Sequence, residues 1–121
     1  MKKIICLCEH GSSRSLAVKK NIEAILNDET WTVDYGAVSE CNGAHNILSS
    51  AQLDKERIDL IILETDSDAP FLFDERFGEE ARQDLMKRKK LITVYCYDRG
   101  KTLADKIRMA VNDIQFLKMY N

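Results

Sequence analysis

The sequence predicts an α/β protein: one domain spanning residues 1–121, with a four-stranded parallel sheet covered by helices on both faces in a three-layer α/β/α arrangement. Three observations lead there. Apolar runs at 3–8, 58–64 and 91–97 contain few polar residues, as strands buried on both faces do. Between the strand-like segments lie apolar residues at helical spacing. The connections are short, and parallel strands joined through helices by right-handed crossovers satisfy all three facts together.

Residues 3–8, "KIICLC", form an Ile-rich run suited to the centre of a sheet. From about Ser13 to Asn27 the spacing predicts a helix, with Leu16, Ala17, Val18, Ile22, Ile25 and Leu26 marking its apolar side, and Asn27-Asp28 stopping it. Residues 31–38, "WTVDYGAV", carry the β-branched and aromatic residues of a second strand. Cys41-Asn42-Gly43 signals a turn, and a weak helix is expected over about 44–56. "IDLIILE", 58–64, is the third strand and the clearest of the four. The stretch 65–78, with the only proline, Pro70, reads as a loop, and 79–89 as a charged helix. "LITVYCY", 91–97, is the fourth strand, and Asp98-Arg99-Gly100 turns the chain. Thr102 to Asp105 resembles a capping box, and Leu103, Ile107, Ala110, Val111, Ile114 and Leu117 continue a helical stripe toward the C-terminus.

Composition narrows the function classes. With 45% hydrophobic and 31% charged residues, the chain can bury a core without disulfides or metals. A net charge of −2 gives no electrostatic footprint for nucleic acid or an anionic membrane, so neither is expected as a partner. The local run Lys87-Arg88-Lys89-Lys90 fits the solvated C-terminal end of a helix. No apolar stretch reaches membrane-spanning length, and Met1-Lys2-Lys3 precedes only five apolar residues before Glu9, which makes a cytoplasmic protein the expectation. The four cysteines, Cys6, Cys8, Cys41 and Cys96, show neither a CxxC pair nor zinc spacing, so free thiols are expected and no metal or cofactor is called for. Cys6 and Cys96 read as buried small hydrophobes.

Cys8 reads differently. In open α/β sheets ligands bind beyond the carboxyl ends of the strands, and that rule gathers the loops after Cys8, Leu63 and Tyr97. The first of them, Cys8-Glu9-His10-Gly11-Ser12-Ser13-Arg14-Ser15, is C-x5-R-S. A loop of this length between a strand and a helix can curl so that backbone N–H groups from Glu9 to Arg14 point inward, joined by the unpaired N–H groups of the helix start. Gly11 permits a backbone conformation that a side chain forbids. The result is an anion cradle of phosphate size. Arg14 adds a guanidinium able to hold two phosphate oxygens, and the same donors favour a thiolate at Cys8. Such a thiolate can attack phosphorus and form a phosphocysteine, with the Ser15 hydroxyl easing the departure of sulfur in a second step. Glu9 is tolerable beside an anion only if its side chain faces out, since the site needs only its N–H. His10 is an extra donor or an exposed loop residue.

The C-x5-R-S loop "CEHGSSRS", ending an N-terminal apolar strand and opening a helix, resembles that of the low-molecular-weight protein tyrosine phosphatases. The resemblance implies a phosphomonoesterase with Cys8 as nucleophile, Arg14 as phosphate binder, and a phosphorylated protein or small phosphoester as substrate. It also implies a general acid in the loop after the last strand, where the family carries Asp-Pro. Asp98 holds that place here, with Arg99 in place of the proline. Asp66, Asp68 and Asp74 are rival acids, and Phe71 and Phe73 either wall the site or pack in the core. Three other readings use the same loop. A thiol-redox enzyme of the arsenate-reductase type needs a resolving cysteine after the third strand, yet no cysteine lies between residues 42 and 95. A non-catalytic phosphate- or nucleotide-binding module would keep the cradle without turnover. A phosphocysteine carrier of sugar transport has a similar sheet and cysteine loop, but does not call for Arg14.

Overall fold

The computed structural model describes residues 2–11, 13–27, 30–40, 43–44, 46–49, 58–66, 68–95 and 101–120, excluding the side chains of Lys101 and 113–120. Four strands, β1 (Lys2–Cys8), β2 (Trp31–Ala37), β3 (Leu60–Glu64) and β4 (Leu91–Val94), form one sheet in the order β2-β1-β3-β4. Every neighbouring pair is parallel. The helices are α1 (Arg14–Leu26), α2 (Ala69–Phe77), α3 (Glu79–Lys87) and α4 (Lys101–Tyr120). The α/β/α sandwich expected from the alternating pattern is therefore present.

The alternation of side chains along each strand splits the core in two. On one face, Ile4 and Cys6 of β1, Leu60 and Ile62 of β3 and Val94 of β4 pack with Val18 and Ile22 of α1 and with Leu103 and Ile107 of α4. On the other face, Ile5, Leu7, Ile61, Leu63 and Leu91 pack with Ala69 and Phe73 of α2, and Leu85 of α3 closes the margin. Because β1 has a strand on either side and helices above and below, its five residues Ile4 to Cys8 are all buried. The unbroken apolar run "IICLC" is the sequence trace of that position.

The order of strands fixes where a ligand can sit. The chain passes from β1 outward to β2, then crosses back over β1 to reach β3. The carboxyl end of β1 is thus the switch point, where the following connections diverge to opposite sides and leave a crevice. Cys8 is the last residue of β1.

Several elements differ from the sequence reading. Residues 69–77 form α2 rather than a loop. Pro70 sits in its first turn, where a missing N–H is harmless, and Ala69, Leu72, Phe73 and Phe77 give it an apolar side. Gly78, at φ 96°, ends α2 and lets α3 begin at once with Glu79 and Glu80, whose charge suits a helix N-terminus. The helix expected over 44–56 does not begin as anticipated. Ile47 makes an isolated parallel bridge with Ala37, Asn46 is left-handed at φ 52°, and its side chain donates to the Tyr35 carbonyl at 2.6 Å. Residues 50–56, the rest of that expected helix, lie outside the described residues. Strand β4 stops at Val94, short of the expected 97, and α4 already includes Thr102, which is therefore not its cap. Among the described residues, no helix is long and apolar enough to cross a membrane.

Candidate phosphate-binding site

The loop between β1 and α1 is anchored on both sides. Val38 N–H donates to the Cys8 carbonyl at 3.0 Å and Ser39 N–H to the Glu9 carbonyl at 3.0 Å, extending the β1–β2 ladder past the end of the strand. Gly11 then turns the chain at φ 71°, in the left-handed region that glycine enters without a Cβ clash. Gly11 is also buried, so the turn folds under the loop rather than out into solvent. Ser13 forms the N-cap of α1 without a side-chain cap, and no acidic residue occupies the first turn. The N–H groups that open α1 are thus met by neither a hydroxyl cap nor a carboxylate of that turn, and they carry the positive end of the helix dipole.

Cys8 and Ser15 are both buried, and Cys8 Sγ lies 3.2 Å from Ser15 Oγ. The neutral thiol donates to the hydroxyl oxygen. Once the thiol ionises, the hydroxyl turns to donate to sulfur, and a charge-assisted hydrogen bond holds the thiolate. Arg14, the first residue of α1, is exposed at the mouth of the loop. Glu9 is partly exposed and lies 4.0 Å from His10 Nε2, at the outer rim, which is the orientation an anion site tolerates. Ser13 is exposed. Ser12 and Asp98 lie outside the described residues, as do Cys41 and Cys96.

Cys6, one turn of the pleat below Cys8, has a different environment. Burial pushes its thiol far above the ordinary range, Asp34, Glu23 and Cys8 push the same way, and Lys19 opposes them. The neutral thiol is a core side chain, as the apolar run around it implies. Of the rival acids, Asp74 is engaged elsewhere, accepting from Arg82 at 2.7 Å; Asp68 is the exposed N-cap residue of α2, and Asp66 follows β3, its N–H donating to Glu64. Phe73 is fully buried on the sheet face away from Cys6, and Phe71 is 69% exposed, so Phe73 is a core residue and not a wall of the site.

One residue that the sequence reading passed over belongs beside the site. The register that pairs Leu7 with Leu63 sets Glu64 level with Cys8 on the adjacent strand, on the same face of the sheet. Glu64 is buried, and its Oε1 accepts the Asp66 N–H at 2.6 Å. It thereby fixes the turn that leaves β3 next to the loop. The signal was a carboxylate ending an otherwise apolar strand, where solvent exposure would normally be assumed.

This constellation, a buried thiol with a hydroxyl partner below an uncapped helix start, is suited to a tetrahedral anion. Comparison with known proteins gives the arrangement its relatives. A family model described as PTS system, lactose/cellobiose specific IIB subunit, matches residues 3–106, which include the whole loop and, but for Lys2, all four strands. The chain belongs to that family. Arg14, which in the sequence alone spoke against a sugar-transport carrier, does not exclude membership: the matched span runs through it.

The IIB-family chain also shares its fold with low-molecular-weight protein tyrosine phosphatases. A mutant of YwlE from Bacillus subtilis is 15% identical with a TM-score of 0.52, over 98% of this chain and 99% of that one. SP-PTP, the low molecular weight protein tyrosine phosphatase of Streptococcus pyogenes, is 13% identical with a TM-score of 0.55, over 93% and 90%. The protein tyrosine phosphatase of Entamoeba histolytica is 12% identical with a TM-score of 0.54, over 99% and 97%. At these identities the likeness is one of fold. No curated protein sequence matches the chain.

Proposed function

We propose that this IIB-family protein takes a phosphoryl group onto Cys8 and releases it to water, as a cysteine-dependent phosphatase acting on a phosphorylated protein or a small phosphoester. The observation that carries the reading is the buried Cys8 Sγ–Ser15 Oγ contact at 3.2 Å, placed where Arg14 opens the helix. In the first step the Cys8 thiolate attacks phosphorus, the S–P bond forms and the ester P–O bond breaks. The leaving oxygen takes a proton from a general acid, the role assigned to Asp98. In the second step water attacks the phosphocysteine, gives its proton to the Asp98 carboxylate, and the S–P bond breaks to return thiolate and inorganic phosphate. Ser15 supports the sulfur whenever it carries charge. Arg14 binds two phosphate oxygens, and the backbone N–H groups of Glu9, His10, Gly11, Ser12 and Ser13 supply the remainder of the cradle.

The family match over residues 3–106 favours a second reading, in which Cys8 carries the phosphoryl group between partners of a sugar-transport relay and hydrolysis is slow. Both readings share the phosphocysteine and differ in its fate. Steady release of inorganic phosphate from an aryl phosphate, abolished by Cys8→Ser, is the result expected of the phosphatase. Release that survives Cys8→Ser would overturn the role of this thiol.

A further inference from the structure

We propose that the groove at the free edge of β4 binds a small anionic amphiphile, a molecule with an apolar aliphatic or aromatic body and one carboxylate- or sulfonate-like head. The edge arises from the strand order: among the described residues β4 pairs with β3 on one side only, and α3 and α4 overhang it from the two faces of the sheet. Between them lies a groove of about 350 Å³. Its apolar lining includes Met86, Leu91, Ile92 and Met109, and its charged members among the described residues are Lys89 and Lys106. That volume falls at the small end of ligand pockets, roughly 300–1,000 Å³.

The backbone at Lys89 is the second observation. Lys90 N–H donates to the Leu85 carbonyl at 2.8 Å and Lys89 N–H to the Met86 carbonyl at 3.1 Å, the paired bonds of a Schellman ending. Lys89 therefore occupies the left-handed position, at φ 62°, where glycine is the favoured residue. A lysine is held there against its backbone preference. No carboxylate among the described residues pairs with it, and its side chain lines the groove. On the opposite wall Met109 is left 67% exposed and on the near wall Met86 38% exposed, although both are large apolar side chains. Unbranched thioethers adapt to apolar bodies of varied shape. Lys106 sits 5.8 Å from the Tyr95 ring centroid, so its ammonium is held at the same edge.

Charge complementarity selects the occupant. Lys89, over an apolar floor, calls for one anionic head and one apolar body. A second copy docked edge to edge would bring the run Lys87 to Lys90 of each chain toward its twin, and a four-residue strand offers little pairing in return. The groove is also separate from the Cys8 loop, since β3 lies between β1 and β4.

The test is a fluorescence titration of the full chain with 1-anilinonaphthalene-8-sulfonate, set beside the uncharged N-phenyl-1-naphthylamine. The sulfonate should bind saturably and about fivefold more tightly than the neutral dye, the effect of an exposed ion pair, and decanoate should displace it better than decanol. Lys89→Gly should weaken sulfonate binding about threefold to fivefold, leave the neutral dye unchanged, and hold or raise Tm because glycine suits the backbone. Met109→Glu should weaken the sulfonate more strongly without lowering Tm. Absence of saturable binding, equal affinity for both dyes, or sulfonate affinity unchanged in both variants would each overturn the proposal. So would displacement of the dye by inorganic phosphate, which would put it in the Cys8 loop. Capture of the protein on phosphatidylglycerol vesicles, lost in Met109→Glu, would move the site to a membrane surface and overturn it as well.

Discussion

Cys6 and Cys8 stand two residues apart on one strand, and burial alone does not separate them, since both are sealed from solvent. Their neighbours do. Cys6 packs among Ile4, Ile62 and Val94, whereas Cys8 meets a hydroxyl at the loop. Because the folded state holds the Cys6 thiol neutral well above its ordinary value of 9.0, folding binds a proton that the unfolded chain gives up above that pH. The sign follows directly: this contribution is intact below about pH 9 and declines as pH rises beyond it, by about 1.4 kcal/mol per pH unit for one proton. Denaturant unfolding of the native chain and of Cys6→Ala across that range should differ by this slope, and parallel curves would contradict it. At Ser15 the expectation concerns rate. Loss of a hydrogen bond to a charged sulfur, about 1.5–3 kcal/mol, should lower turnover roughly 10- to 150-fold in Ser15→Ala, with folding unchanged by circular dichroism. The C-x5-R-S spacing singles out Cys8, Arg14 and Ser15 because all three lie within one loop, and the fold brings the Cys8 and Ser15 side chains together. Glu64 was not legible, since only the register between two distant strands brings it beside Cys8.

Elements defined by their own periodicity were read closely, and those defined by neighbours were not. Ile4–Cys8 of β1 and Leu60–Leu63 of β3 are uniformly apolar because both faces are covered, a property local sequence records. Helix α2 was hidden by a proline and three aspartates that look like breakers, yet its first turn accommodates Pro70 and its buried side needs only Ala69 and Phe73. The segment around Asn46 shows the opposite case: helical spacing is overridden by pairing to β2. That pairing makes a sharp demand on Gly36, because a Cβ there would run into the Asn46 carbonyl backbone. Gly36→Ala should therefore cost about 1–3 kcal/mol, read as a drop in the denaturant midpoint. Arg76 ties α2 to the same region. It donates to the Val38 carbonyl at 2.6 Å, pairs with Glu40 at 2.8 Å and stacks 4.6 Å from the Phe77 ring centroid. Val38 in turn donates to Cys8, so Arg76→Ala should slow Cys8 chemistry while Arg76→Lys restores it only in part, lacking the planar fork. Equal activity in both variants would show that this strut is dispensable.

At the scale of the molecule, one topological fact connects fold and function: β1 is central, and its carboxyl end is where the chain reverses direction across the sheet. The sandwich itself followed from alternation of strand and helix, while the order β2-β1-β3-β4 is a property of packing that no short window encodes. The same sheet occurs in low-molecular-weight protein tyrosine phosphatases and in the IIB family to which the chain belongs, so the fold alone does not name the chemistry and the residues of the loop must carry it. The central claim is that Cys8 forms a phosphocysteine that water then clears. Rapid mixing with an aryl phosphate, a denaturing quench and peptide mapping by mass spectrometry test it most directly. The account predicts a phosphoryl-sized mass on the Cys8 peptide that rises and decays as inorganic phosphate accumulates over many turnovers. A phosphocysteine that persists without phosphate release, or an unmodified Cys8 during release, would contradict it.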